Sequence, residues 1–154
     1  MWKFLTNSRP AGTELLSPGG RYVAVLGPPQ EVWGNALAPL AVWAATTPPS
    51  LLYYRAGYLA HALSSGDAPV FLYWSRNGEW LAFYEFKRQQ TYEVVFLHLP
   101  ASRAYRVPAT DELLRSLPML SQEASQIQAF LATAQPCQDG LVTDADVPAD
   151  LRRH

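Results

Sequence analysis

From its N-terminus to Pro108 the chain is cut by proline and glycine into short runs of β-branched and aromatic residues. No run is long enough for an extended helical period, and ten of the chain's 13 prolines fall in this stretch and would break one. Such a chain folds as successive antiparallel hairpins. The spacing predicts strands over residues 13–16, 21–26, 40–46, 51–54, 70–74, 79–86, 92–99 and 103–107. These group into a first β unit at 13–55 and a second at 69–107. At 154 residues the chain has the usual length of one domain.

After Pro108 the pattern becomes helical. Thr110 stands where an N-cap belongs, Asp111 and Glu112 suit a first turn, and Arg115 lies four residues beyond Asp111. A second helix is expected from Ser121 to Ala134, with Ala124, Ile127, Phe130, Leu131 and Ala134 forming one apolar stripe. Residues 110–134 therefore read as helices laid on the sheet, and 135–154 as a tail. The expected fold is mainly β (α+β), with two antiparallel four-stranded meander units and a C-terminal helical segment.

The two units share a phrase. Ser17-Pro18-Gly19-Gly20-Arg21-Tyr22-Val23-Ala24-Val25 matches Ser75-Arg76-Asn77-Gly78-Glu79-Trp80-Leu81-Ala82-Phe83 at a constant offset of 58. Each has a serine, a turn closing on glycine, a charge, then aromatic-apolar-Ala-apolar, and both turns suit positive φ. This phrase resembles the blade repeat of TolB-type and WD-repeat-like β-propellers. The resemblance implies four-stranded meanders and not a closed ring, because two copies fall short of about four blades.

Composition limits the function classes. A net charge of −1 and a pI of about 6.3 give no basic footprint for nucleic acid. The longest apolar run, Ala36 to Ala45, is about half a membrane-spanning length and contains Pro39. The start, Met1-Trp2-Lys3-Phe4-Leu5, turns polar too soon for a secretory signal, and Cys137 is the single cysteine. The expectation is a cytoplasmic protein without disulfide, membrane span or nucleic-acid partner.

The sequence holds no phosphate-cradling Gly-Lys-Ser/Thr loop, no Gly-x-Gly-x-x-Gly, no His-Glu-x-x-His, no Gly-x-Ser-x-Gly and no paired cysteines. No cofactor or metal is implied. His61, Ser64, Ser65 and Asp67 offer triad residue types, but they crowd one segment, which reads as a short helical connector. His98 continues an apolar strand face and reads as a packed histidine. Cys137 follows a helix end, where nothing would activate its thiol.

The hairpin from Glu79 to Leu99 is apolar on both faces, which suits a hairpin sandwiched between two layers, or one with a face used as an interface. A turn centred on Gln89 sets Trp80 opposite His98, Ala82 opposite Phe96, Tyr84 opposite Val94, and Glu85 opposite Glu93. Facing carboxylates destabilise a strand pair. Lys87 and Arg88 neutralise them, or they form a general-acid and base couple, or they await a basic partner.

Two functions fit. The first is a non-enzymatic protein-interaction module that covers a partner protein, like in type to bacterial immunity proteins. Its expected partner-binding residues are Glu85, Glu93, Arg88, Tyr92 and Trp33. On that reading, exchanging both glutamates for Gln weakens binding and preserves or slightly raises stability. The second is a small hydrolase or ligand-binding enzyme with a site at Glu85, Glu93 and His98.

Overall fold

The computed structural model describes residues 13–27, 30–32, 35–61, 72–86, 92–116, 127, 131–132, 134–137, 147 and 151–152. Its elements are β1 (Thr13–Leu16), β2 (Tyr22–Leu26), β3 (Gln30–Val32), β4 (Asn35–Ala44), β5 (Ser50–His61), β6 (Leu72–Trp74), β7 (Trp80–Phe86), β8 (Tyr92–His98), β9 (Arg103–Pro108), α1 (Asp111–Ser116) and β10 (Gln135–Cys137). The protein is mainly β, in two antiparallel sheets. One runs β1–β2–β4–β5, with β3 also beside β4, and the other β6–β7–β8–β9–β10. They meet through one residue pair, Leu59↔Glu85, between β5 and β7.

The serine phrase builds the first hairpin of each sheet by the same bonds. Ser17 N–H donates to Tyr22 O at 2.9 Å and Gly20 N–H to Ser17 O at 2.8 Å; Ser75 N–H donates to Trp80 O and Gly78 N–H to Ser75 O, each at 2.9 Å. The serine hydroxyls accept from Tyr22 N–H at 3.1 Å and Trp80 N–H at 3.0 Å. Both serines are buried, and Gly20 and Gly78 both hold φ of 73°. A side chain there would strain the turn, so glycine is required.

Alternation along the strands then sorts side chains into two faces. The inner faces meet in a shared core, where Ala24, Leu26, Leu40, Val42 and Tyr53 of the first sheet pack on Leu81, Phe83, Val95, Leu97 and Ala104 of the second. The Tyr53 and Phe83 rings touch edge to face at 5.6 Å. The other face of β7, β8 and β9 carries Trp80, Ala82, Val94, Phe96 and Val107, and is covered by Leu113 and Ile127. The second hairpin is thus sandwiched between two layers, which explains its lack of alternation.

Leu113 reaches that face from α1, whose first turn is capped by Thr110: Leu113 N–H donates to Thr110 Oγ1 at 3.2 Å. α1 is the one continuous helix among the described residues. The helix expected from Ser121 to Ala134 lies mostly outside them, Phe130 included. Ile127, Leu131 and Ala134 are described, and all three pack on the β7–β8–β9 face.

Four boundaries differ from expectation. β4 begins at Asn35 and passes through Pro39, a residue that strands tolerate mainly at irregularities. The register there jumps from Ala38↔Leu59 to Leu40↔Arg55, so a bulge in β5 accommodates it. β5 continues to His61, which pairs with Ala36, so a strand replaces the start of the expected connector; Ser64, Ser65 and Asp67 lie outside the described residues. The short strand β3, which pairs with β4 through Gln30↔Leu37, Glu31↔Ala36 and Val32↔Asn35, had no counterpart in the expected strands. Finally, part of the expected tail is built into the body. β10 pairs with β9, and Val147 and Leu151 bury against Val23, Val25, Ala41, Trp43 and Leu51 on the outer face of the first sheet. Trp43 Nε1–H donates to Leu151 O at 3.1 Å.

Candidate functional site

The β7–β8 ladder holds the register expected from the sequence, with Trp80↔His98 at one end and Glu85↔Glu93 near the other. Glu85 and Glu93 follow Phe83 and Val95 on the inner face, so their carboxylates lie at one end of the core between the sheets. There Tyr53 and Arg55 reach in from β5, and Arg106 from β9.

Three side chains converge on Glu85, which is 2% exposed. Arg55 Nη2 donates to Oε1 at 3.0 Å, Arg106 Nη1 donates to the same oxygen, and the Tyr53 hydroxyl donates to Oε2 at 3.2 Å. Arg106 Nη1 also lies 3.7 Å from Glu93 Oε1, and its Nε donates to Cys137 Sγ at 3.0 Å. Two carboxylates thus face two guanidiniums. The like-charge pair is tolerated because Arg106, one strand further on, bridges it.

The electrostatics follow from burial. Desolvation lowers the proton affinity of Arg106, but Glu85 beside it, with Cys137 and Tyr53, more than offsets this, so the guanidinium holds its proton more tightly than usual. Burial, and then the charge of Glu85, push the Tyr53 hydroxyl well above its ordinary value. Tyr84, on the other face beside Tyr73, is raised by burial and by that neighbour. Arg106 Nη2 is buried with no acceptor among the described residues, so charge balance is met more fully than hydrogen bonding.

This arrangement corrects two expectations. The carboxylates do not form an open acidic edge: Glu85 is inside, and its charge is met by Arg55 and Arg106 of the same chain. Lys87 and Arg88, the expected local neutralisers, lie outside the described residues, as does Trp33. Tyr92 opens β8 opposite Phe86, and its backbone alone is described.

Nor does the structure assemble Glu85, Glu93 and His98. His98 pairs with Trp80, five residues along β8 from Glu93, a separation of about 17 Å. It also lies on the opposite face, its ring 4.5 Å from that of Trp80 and its Nε2 3.9 Å from Glu79 Oε1. A proton could not pass directly between these groups. Among the described residues no set of three His, Cys, Asp or Glu side chains is grouped to hold a metal ion. None of their helices is long and apolar enough to cross a membrane.

Tyr53, Arg55 and Arg106 are the members that sequence reasoning missed. Each lies in an ordinary strand pattern, and nothing local marks it; the signal was indirect, in that a facing glutamate pair demands cations from adjacent strands. No protein-family model, curated protein or solved structure matches this chain.

Proposed function

We propose that this protein is a non-enzymatic protein-interaction module, acting in the cytoplasm by binding and covering a partner protein in the manner of immunity proteins. The observation that carries the reading is the internal neutralisation of Glu85. The polar groups best suited to acid–base work are turned inward and held by Arg55, Arg106 and Tyr53, where they rigidify the core. A general acid or base must instead reach a substrate proton within about 3 Å. Part of each outer sheet face is covered by later residues of the same chain, Leu113, Ile127 and Leu131 on one and Val147 and Leu151 on the other, so a partner would use what remains outside: sheet edges, turns and the rim around Glu93.

Affinity capture with the tagged full-length protein in its native host, followed by titration of the purified partner in a calorimeter, tests the proposal. The expected result is a stoichiometric protein complex. Recovery of no partner above a tag-only control, or enrichment of a small molecule that the protein consumes, would overturn it.

A further inference from the structure

Asn-Gly occurs once in the chain, at Asn77-Gly78 in the turn that leads into β7. The pair is chemically labile as well as turn-forming, because glycine has no side chain to shield its nitrogen from the neighbouring amide. Its counterpart in the first turn, Gly19-Gly20, carries no such amide.

The closed turn holds both reacting groups. Gly78 N–H donates to Ser75 O at 2.9 Å. The Asn77 side chain is held through Oδ1, which accepts from the Ser75 hydroxyl at 2.7 Å and from Glu79 N–H at 3.0 Å. A backbone N–H can only donate, so the amide oxygen, and not its nitrogen, lies on that side. Ser75 is itself buried, its hydroxyl accepting from Trp80 N–H at 3.0 Å. Gly78 also abuts the Pro18 backbone of the first turn, so its peptide is packed as well as hydrogen-bonded. Asn77 is exposed, and water reaches it.

We infer that Asn77-Gly78 is a modification site gated by this turn: closed, the fold preserves the asparagine, and open, Asn77 converts through a cyclic imide to aspartate and isoaspartate. In the first step the Gly78 nitrogen gives its proton to hydroxide and attacks Asn77 Cγ. The N–Cγ bond forms, the Cγ–Nδ2 bond breaks, and ammonia leaves after taking a proton from water. Water then adds to one carbonyl of the imide and the adjoining C–N bond breaks. Attack at Cγ gives aspartate, and attack at the backbone carbonyl carbon gives isoaspartate.

The imide nitrogen carries no hydrogen, so the bond from Gly78 N–H to Ser75 O is lost in the first step. That bond closes the turn, which is why the closed turn resists the reaction. Isoaspartate carries the main chain through Cβ and Cγ, one methylene longer, at the place where Gly78 meets Pro18. Conversion therefore loosens the contact between the two repeated turns and leaves a permanent chemical mark of each opening.

The test incubates the full-length protein at mildly alkaline pH, folded and unfolded in guanidinium chloride, and follows Asn77 by peptide mapping. The readouts are the mass gain of exchanging NH2 for OH and the isoaspartyl fragments from electron-transfer dissociation. Conversion is expected at least tenfold slower in the folded protein. The ratio of the two rates should match the exchange protection of the Gly78 amide, since both need the same local opening. Equal rates, faster conversion when folded, no conversion in the unfolded chain, or slowing far beyond the Gly78 protection would overturn the inference.

Asn77→Asp keeps an oxygen acceptor for Ser75 and Glu79 at normal main-chain length, so it separates the added charge from the longer backbone. The isoaspartyl fraction, isolated by ion exchange, should melt below both Asn77→Asp and the unaltered protein. If it melts with either of them, the lengthened chain does not loosen the turns.

Discussion

Arg21 and Glu79 occupy equivalent positions in the two repeated turns, 58 residues apart, and pair with each other at 3.5 Å. The turns abut as well as repeat, because a Cβ on Gly78 would fall on the carbonyl oxygen of Pro18. Equivalent residues in mutual contact are what two-fold symmetry produces near its axis. The exposed ion pair adds little by itself; close packing of the turns is what ties the sheets at this end.

Gly78→Ala should accordingly be far more damaging than Gly20→Ala. Both positions hold φ of 73°, so each substitution costs about 1 kcal/mol in backbone strain. Gly20 faces open space, whereas Gly78 faces the Pro18 backbone, which must move. Urea denaturation should find the second loss larger by about 1–3 kcal/mol. Equal losses would mean that the turns do not touch in solution.

Glu85→Gln should destabilise by about 3–5 kcal/mol, since it removes the buried charge that both Arg55 and Arg106 contact and leaves Arg106 the longer contact with Glu93. Glu93→Gln should cost less than Glu85→Gln, because its contact with Arg106 is longer, at 3.7 Å, and its side chain is 18% exposed against 3% for Glu85. This reverses the sequence-based expectation that removing both charges leaves stability intact. Guanidinium-induced unfolding of the two single variants separates the cases.

The Tyr53 hydroxyl gives an alkaline signature. Its folded-state pKa is raised above the value of about 10 in an unfolded chain, so its contribution is fully present below pH 10 and falls as the pH rises further. Tyr53→Phe should cost about 1 kcal/mol at neutral pH through the lost bond to Glu85, and should flatten the stability slope above pH 10. Denaturation midpoints of both proteins between pH 8 and 11 provide the check.

Leu151→Ala should cost about 2–5 kcal/mol, as should Ile127→Ala, because both side chains are fully buried on outer sheet faces. The Leu151 effect is the more telling, coming from a residue that the sequence pattern places in a tail. A loss under about 0.5 kcal/mol would mean that this segment does not cover Trp43 in solution.

Much of the β architecture was legible in the residues themselves. Period-two runs and turn chemistry are local, so the first hairpin of each sheet, the β7–β8 register with Glu85 opposite Glu93, and the Thr110 cap could be read before any tertiary contact was considered. The doubly apolar β7–β8 hairpin required either a layer on each side or an interface on one face, and the structure supplies the two layers. It could not say which layers, because that depends on segments far away in the chain.

Tertiary structure decided the rest, and for one physical reason: it set side chains from non-adjacent segments side by side. The bulge in β5 lets β4 run through Pro39, which by sequence alone argues against a strand. Arg55 and Arg106 lie 30 and 21 residues from Glu85, and they meet it only because β5, β7, β8 and β9 come together at one end of the core. Val147 and Leu151 look like tail residues until Trp43, 108 residues from Leu151, offers them an apolar face and a hydrogen bond. Local pattern determined that this chain makes antiparallel hairpins, and long-range packing determined which charges those hairpins bury.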